Sequence, residues 1–447
     1  MRIIIVGAGA VGSQLADQLS QENHDVTVIE ADRSRMGQLQ DELDIMVVEG
    51  NGASPKILER AGIKDCDLLM ALTNSDETNL VASLTACRAE VPFKIARVSN
   101  MDYYLLDDWL STRNLGVDLL VNPEFECALQ IRNLLTVPGA SDIGEFGGGN
   151  ALLMGLQVQH GAPCAGITLH EYGLRQERRN FLVGAITRGG RTIVPTGRTR
   201  VEAEDQVFMI CLREHIDDAY AAVGLQREPI HRVMILGGSK VAIFLCKMLE
   251  RNKIKTTLVE NDEATAEQLA VELDRTLVIH GEPTDVELWE MEGLEEAGAF
   301  LALTRDDEEN LLSGLIARNH DVPVVIALLE KLNYVPLVNK VGVNTAVSSR
   351  LAIVDTILKW VRRGNILSLA TLKGNEAEII EFIVTDNCRL LGKPVKDMRL
   401  PKEMLLGSVC RDHEVFIPTG HSTLQEEDRV VVIAGPNSKR DIEQLFN

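Results

Sequence analysis

The chain has 447 residues, a length that at about 150 residues per domain sets a prior of three domains. Its formal charge of −21, from 45 Lys plus Arg against 66 Asp plus Glu, argues against a general nucleic-acid coat, and its 4% aromatic content argues against a base-stacking platform. A hydrophobic fraction of 45% supplies large cores, yet no apolar run approaches the roughly 18–20 residues of a membrane span.

The opening residues lack the apolar region and cleavage site of a secretory leader, so a cytosolic chain is expected. Residues 2–6 and 26–30 are short β-rich apolar runs. Between them Val11, Leu15 and Leu19 recur at helical spacing, so the segment reads as strand–helix–strand. The turn from strand to helix is Gly7-Ala8-Gly9-Ala10-Val11-Gly12, a G-x-G-x-x-G pattern, and Glu30 follows at the end of the next strand. In that context the pattern is a dinucleotide fingerprint. Gly7 permits the tight turn. Gly9 lets a pyrophosphate approach backbone N–H groups at the helix start. Gly12 lets helix and sheet pack closely. Glu30 is expected to accept hydrogen bonds from the adenosine ribose and to disfavour the 2′-phosphate of NADP, while Arg33 and Arg35 nearby pull the other way.

Further strands fit 45–48, 68–72, 94–98 and 118–121 with helices between them, which makes a parallel, doubly wound sheet. Residues 139–149 contain five glycines and read as a linker. The runs 151–158, 181–187, 192–194 and 206–212 are short strands of a small α+β or β-rich lobe. Within it, residues 172–200 carry seven Arg against one Glu, either a solvated face or a contact with a membrane partner or anionic headgroups. Residues 213–232 join the two halves.

The opening pattern then returns. Ile5 to Val11 align with Ile235 to Val241, and Val28 to Asp32 with Leu258 to Asp262, at an offset of 230 residues. Thr73, Asp76, Glu77 and Asn79 align with Thr304, Asp307, Glu308 and Asn310. Ile193-Val194-Pro195-Thr196-Gly197 aligns with Phe416-Ile417-Pro418-Thr419-Gly420. The order is therefore large, small, large, small: lobes at 1–135, 140–220, 231–355 and 365–447. In the second large lobe Ser239 replaces Gly9, Ala242 replaces Gly12 and Lys240 adds a cation, while Glu260 keeps the acid. That lobe binds another nucleotide, such as ATP or ADP, or binds nothing. The eight cysteines form no CxxC pair and the nine histidines no HExxH pattern, so core thiols and no metal site are expected.

The duplicated order, the fingerprint at 7–12 and the two Pro-Thr-Gly turns resemble the TrkA family. Its members are NAD-binding regulatory subunits of bacterial Trk potassium uptake systems, built from two RCK units (KTN plus TrkA-C). The resemblance implies two tandem Rossmann-like parallel-sheet domains, each followed by a small α+β, TrkA-C-like domain. It implies a nucleotide across the strand ends, held by Gly7, Ala8, Gly9, Ala10, Val11, Gly12, Glu30, Asn51, Gly52, Thr73, Asn74 and Arg97. Thr73 and Asn74 serve equally as helix caps, and Arg97 equally as a surface arginine. The corresponding second set is Gly237, Gly238, Ser239, Lys240, Val241, Glu260, His280, Gly281, Thr304 and Arg305, with Leu328 where Arg97 stands.

The cofactor implied is NAD, as NAD+ or NADH, with ATP or ADP as further candidates. The partner implied is a membrane-embedded, TrkH-like potassium transporter subunit, gated without catalysis by a homotetramer at the inner face of the cell inner membrane. Two alternatives share the fold: an NAD-dependent oxidoreductase, and a regulator of a potassium efflux system. The oxidoreductase needs an acid or base beside the nicotinamide. His160, His170 and His413 stand at unlike positions in the two copies and offer none.

Overall fold

The computed structural model describes residues 1–104, 112, 114–175, 180–189, 191–331, 334, 338, 343, 345–361, 366–371, 378–401, 403–412, 414–435, 442 and 445–446. The first lobe is a parallel sheet of β1 (Arg2–Val6), β2 (Asp25–Glu30), β3 (Met46–Glu49), β4 (Leu68–Ala71), β5 (Phe93–Arg97) and β6 (Leu119–Val121), in the order β3-β2-β1-β4-β5-β6. Ile3, Ile4, Ile5 and Val6 are all buried, as is the whole of β4. Continuous apolar runs rather than alternation mark strands covered by helices on both faces. The helix Ala10–Gln21 buries Val11, Gly12, Leu15, Ala16 and Leu19, the face its spacing predicts. Strand order reverses between β1 and β4, the switch point where open α/β sheets bind ligands.

The small lobe that follows is an antiparallel sheet of β7 (Ser141–Phe146), β8 (Ala151–Gln157), β9 (Phe181–Arg188), β10 (Arg191–Ile193) and β11 (Gln206–Leu212), in the order β10-β9-β11-β8-β7. Here the linker expected at 139–149 is corrected: it contains a strand. Gly147, Gly148 and Gly149 take φ of 57°, 68° and 94° and turn β7 back onto β8, while Phe146 is buried in the lobe core.

The second half repeats both plans. Strands β12 (Arg232–Leu236), β13 (Lys255–Glu260), β14 (Leu277–His280), β15 (Ala299–Ala302), β16 (Val324–Leu328) and β17 (Thr345–Val347) form a parallel sheet in the order β14-β13-β12-β15-β16-β17. Strands β18 (Ile366–Thr371), β19 (Glu378–Ile383), β20 (Met404–Arg411), β21 (Glu414–Phe416) and β22 (Arg429–Ala434) form a sheet in the order β18-β19-β22-β20-β21, the connectivity of the first small lobe.

The chain divides into two compact units: Met1–Arg132 with Ile230–Leu358, and Asn133–Pro229 with Lys359–Asn447. In the first, the two Rossmann lobes meet. Phe125 packs edge-on against Phe244 with ring centroids 5.7 Å apart, Arg350 Nε donates to Gln14 Oε1 at 3.1 Å, and Thr356 Oγ1 donates to Glu126 Oε2 at 3.0 Å. In the second, the two small lobes share one apolar cluster that includes Phe146, Phe208, Ile210, Ile379, Val431 and Ile433. A Cβ on Gly184 would stand 2.9 Å from Ile433, and one on Gly407 2.4 Å from Ile210, so these glycines permit the sheets' close approach.

Six cysteines are buried, and burial pushes the thiols of Cys66 to about 11 and of Cys127 and Cys246 to about 12, which keeps them unreactive. Within residues 172–200, Arg188 and Arg200 bond inside the lobe, while Arg175, Arg191 and Arg198 are exposed; Arg178 and Arg179 lie outside the described residues. Among the described residues no helix is long and apolar enough to cross a membrane, and no group of three or more His, Cys, Asp or Glu is placed to hold a metal ion.

Candidate nucleotide-binding site

The loop between β1 and its helix is built by glycines with different tasks. Gly7 has φ +98°, and a Cβ there would press on the Thr73 backbone at 3.2 Å. A Cβ on Gly12 would stand 2.0 Å from the Gly7 carbonyl oxygen, and one on Gly52 1.9 Å from Val6 Cγ1. These three are required by packing. Gly9 is not: a Cβ there would meet no atom within 4 Å. As N-cap of the helix Ala10–Gln21 it supplies no side-chain acceptor either. The helix start therefore carries no side-chain cap and has room beside Gly9, the arrangement that receives an anion. Ala8 and Val11 are buried and Ala10 is exposed at the start of the same helix.

Glu30 is buried, and its carboxylate is engaged by the chain. Oε2 accepts the Ala8 N–H at 2.7 Å, and Oε1 accepts those of Ala31 and Asp32 at 2.8 Å. The acid thus ties the fingerprint loop to the end of β2. A ribose at this position would share an acceptor that already holds the loop. Arg33 pairs with Glu49 at 2.5 Å and Arg35 with Asp32 at 3.6 Å, so both cations raised for a 2′-phosphate already face carboxylates.

Across the switch point, Asn79 organises the ends of β4 and β5. Its Oδ1 accepts from Thr73 N at 2.9 Å and Thr73 Oγ1 at 2.7 Å, and its Nδ2 donates to the carbonyls of Thr73 and Arg97. Thr73 is thus held by Asn79, and the cap of the helix Asp76–Arg88 is Ser75, whose Oγ accepts from Thr78 N at 3.1 Å. Neither Thr73 nor Asn74 is that cap. Asn74 is exposed, and its Oδ1 accepts from Arg97 Nη1 at 3.0 Å. The buried Arg97 Nε has no partner among the described residues. Asn51 Oδ1 accepts from Ala53 N at 2.8 Å, closing the turn after β3. Asn79 and Ser75 were not among the expected site residues; the recurrence of Asn79 as Asn310 was the signal for the first.

An anion-ready helix start, open room at Gly9 and an orphaned buried donor on Arg97 together fit a phosphate-bearing nucleotide across β1, β2, β4 and β5.

The second crevice keeps the frame and changes the surface. Glu260 accepts from Gly238 N at 2.5 Å and Asp262 N at 2.9 Å, and Asn310 holds Thr304 as Asn79 holds Thr73. Gly237 has φ +87°, and Val241 is buried. Ser239 Oγ accepts from Ala242 N at 3.3 Å and so caps the helix Lys240–Arg251, using an N–H that Gly9 leaves free. His280 Nε2 contacts the Asn261 carbonyl at 3.2 Å, and a Cβ on Gly281 would lie 2.4 Å from Leu288. Arg305 is exposed at the place of Asn74, and Leu328 is buried at the place of Arg97. Lys240 lines a cavity bordered by Asn74 and Glu77 of the first lobe, a neighbourhood that sequence spacing does not reveal. Of the three histidines weighed as acids or bases, His160 contacts Glu204 at 3.3 Å, His170 is exposed and His413 lies outside the described residues.

Fold and crevice define a duplicated Rossmann-type protein with a nucleotide-binding fingerprint intact in its first copy. The TrkA-N domain family matches residues 3–123 and 233–349, and the TrkA-C domain family matches 153–224 and 379–447. The Trk system potassium uptake protein TrkA of Halomonas elongata is 35% identical over all of this chain and 98% of its own length. The protein of that name from Vibrio alginolyticus is 32% identical over 100% and 98%, and a TrkA homolog from Archaeoglobus fulgidus is 34% identical over the full length of both. Among solved structures, the GsuK channel bound to NAD aligns with a TM-score of 0.60 and 19% identity, covering 100% of this chain and 78% of that one. The GsuK RCK domain aligns with a TM-score of 0.59 and 18% identity, covering 100% and 94%; at such identity both speak to the fold. The chain belongs to the TrkA family of Trk system potassium uptake proteins.

Proposed function

We propose that this chain is a cytosolic regulatory subunit that binds NAD, oxidised or reduced, in its first Rossmann lobe and thereby gates a membrane-embedded, TrkH-like potassium transporter. The observation that carries the ligand is Gly9: an uncapped helix start with no protein atom near the place a Cβ would take. Glycine there serves a ligand rather than packing. ATP and ADP share the adenosine and phosphates of NAD and compete for the same crevice. The second crevice, capped by Ser239 and lacking a counterpart of Arg97, is the weaker site.

The protein is not an enzyme. Regulation requires only that the ligand bind two conformations of the assembly with different affinity. Family membership and the duplicated plan support a ring of four chains on the cytoplasmic face of the transporter, held to the membrane through that partner. The test is potassium uptake by cells lacking the gene, complemented with the natural chain or with Gly9→Asp. Loss of uptake at low external potassium, restored only by the natural chain, is expected. Normal uptake without the gene would sink the gating role.

A further inference from the structure

We propose that the first small lobe carries a face, formed by Leu174 and the exposed arginines around it, that seats on anionic phospholipid headgroups. Residues 172–200 hold seven Arg against one Glu in a chain of net charge −21, and the nucleotide site uses none of them. Arg175, Arg191, Arg198 and Arg200 are exposed. The helix Leu169–Leu174 and the loop 196–200 lie together: His170 N donates to the Gly197 carbonyl at 2.8 Å, and Leu169 N to that of Thr199 at 3.0 Å. The Glu171 carboxyl is held below its ordinary range first by the Thr168 N–H and hydroxyl, then by the charges of Arg200 and Arg175, so both guanidinium groups stand around it. Leu174, at the end of that helix, is 74% exposed.

The second small lobe shows that the fold does not require these cations. Arg191 stands opposite Arg188 across the β9–β10 pair, whereas Glu414 stands opposite Arg411 in the matching β20–β21 pair. Like charges face each other in the first hairpin and opposite charges in the second, and only the second arrangement stabilises its pair. In the matching Pro-Thr-Gly turns His421 replaces Arg198. In the matching bridges, Thr168 to Arg200 and Pro394 to Thr423, a threonine replaces Arg200. Leu400 follows Pro394 at the spacing with which Leu174 follows Thr168, yet it packs against the core of its lobe.

The acids nearby already have partners. Glu171 accepts the Thr168 N–H and hydroxyl at 2.8 and 2.9 Å, Arg188 binds Glu202 and Asp205, and Glu204 lies 3.3 Å from His160. Guanidinium groups bind phosphate bidentately, and an exposed leucine among them suits the boundary between headgroups and acyl chains. The cytosolic loops of membrane proteins are rich in Lys and Arg and would repel this face, whereas the cytoplasmic leaflet is anionic. The strongly acidic remainder of the chain is repelled by such a leaflet, so the contact falls to this face and orients the protein.

The test uses the full-length chain, without a transporter, and vesicles of phosphatidylglycerol or of phosphatidylcholine. Co-sedimentation with the first and not the second is expected. Each Lys or Arg near an anionic surface contributes about fivefold to partitioning, so Arg175→Gln, Arg191→Gln and Arg198→Gln together should lower it about a hundredfold. Leu174→Gln should weaken it as well. Lys253→Gln with Lys255→Gln, exposed cations of the second Rossmann lobe, should leave it unchanged. Natural partitioning of the triple variant, or an equal loss in the Lys253 and Lys255 variant, overturns the assignment. So does a natural chain that binds neither vesicle; loss of potassium uptake in the triple variant would then assign the face to an acidic protein partner instead. Thermal melts check folding, and if the triple variant does not fold, Arg198→Gln decides alone, because the second lobe carries His421 at that turn.

Discussion

Glu30 Oε2 accepts the Ala8 N–H at 2.7 Å, so the acid of the fingerprint holds its own loop. Glu260 holds Gly238 in the second copy in the same way. The contact gives Glu30 two tasks, shaping the loop and offering the ribose an acceptor. Removing the carboxylate strands three backbone N–H groups, of which that of Ala8 is buried. Glu30→Ala should therefore cost about 1–3 kcal/mol of stability, weaken NAD binding and relax the rejection of NADP. Urea unfolding and calorimetry read these effects. Full stability with a fixed NAD/NADP ratio would show that Glu30 does neither task.

The glycines of the loop should respond oppositely to a methyl group. Gly12→Ala puts a carbon where the Gly7 carbonyl oxygen stands, 2.0 Å away, and should lower the melting temperature markedly. Gly9→Ala meets nothing within 4 Å and should leave it unchanged. Gly9→Asp should likewise fold, yet abolish NAD binding, because its carboxylate occupies the anion's place at the helix start. Thermal melts paired with NAD titrations check all three. A Gly9→Asp protein that binds NAD with natural affinity would move the site elsewhere.

The legibility of these features in the sequence differs by physical cause. The parallel sheets were readable because Ile3 to Val6 and their counterparts are unbroken apolar runs, and the loop because glycines mark backbone geometry directly. The strand Ser141–Phe146 was hidden because five of the eleven residues from 139 to 149 are glycines, a density that reads locally as a turn or linker. The task of Asn79 was half visible: its repetition as Asn310 was plain, but the carbonyls it joins lie on two strands. Asn74 and Glu77, which border a cavity with Lys240, come from the other lobe and share no local spacing with it. Contacts across long sequence separations are what a local pattern omits.

An exposed cluster in the second lobe supplies a pH test. Glu308 accepts from Lys331 Nζ and Tyr334 Oη, each at 2.8 Å, and these bonds hold its carboxyl at about 2, below its ordinary 4.5. A depressed carboxyl lends stability above its unfolded value and loses it as pH falls through the folded one. The contribution of Glu308 should thus be full above about pH 4.5 and fade towards pH 2. Lys331→Met should raise the Glu308 titration midpoint, which carboxyl NMR can follow. A midpoint unchanged by that substitution would assign the shift to something other than Lys331.

The small lobes carry a matched pair of buried carboxylates. Arg188 binds Asp205 through Nε and Nη2, both at 2.7 Å, and Arg411 binds Asp428 through the same atoms at 2.8 and 2.7 Å. Each aspartate also accepts a backbone N–H, from Glu202 at 2.8 Å and from Gln425 at 2.7 Å. Each arginine reaches on to a carbonyl, that of Arg200 or Thr423, so one fork joins the end of a strand to the loop before the next. Both aspartate side chains are 1% exposed, and a buried acid with a full set of donors costs most when it is replaced. Asp205→Ala and Asp428→Ala should each lower stability by roughly 2–3 kcal/mol. Asp205→Asn should cost less, since it retains an acceptor for the Glu202 N–H. NAD affinity should stay constant in all of them, because these residues belong to the unit that does not contain the crevice. Denaturant titration of the full chain measures the first effect and calorimetry the second. Wild-type stability in Asp205→Ala would mean that the fork contributes nothing to holding the lobe together.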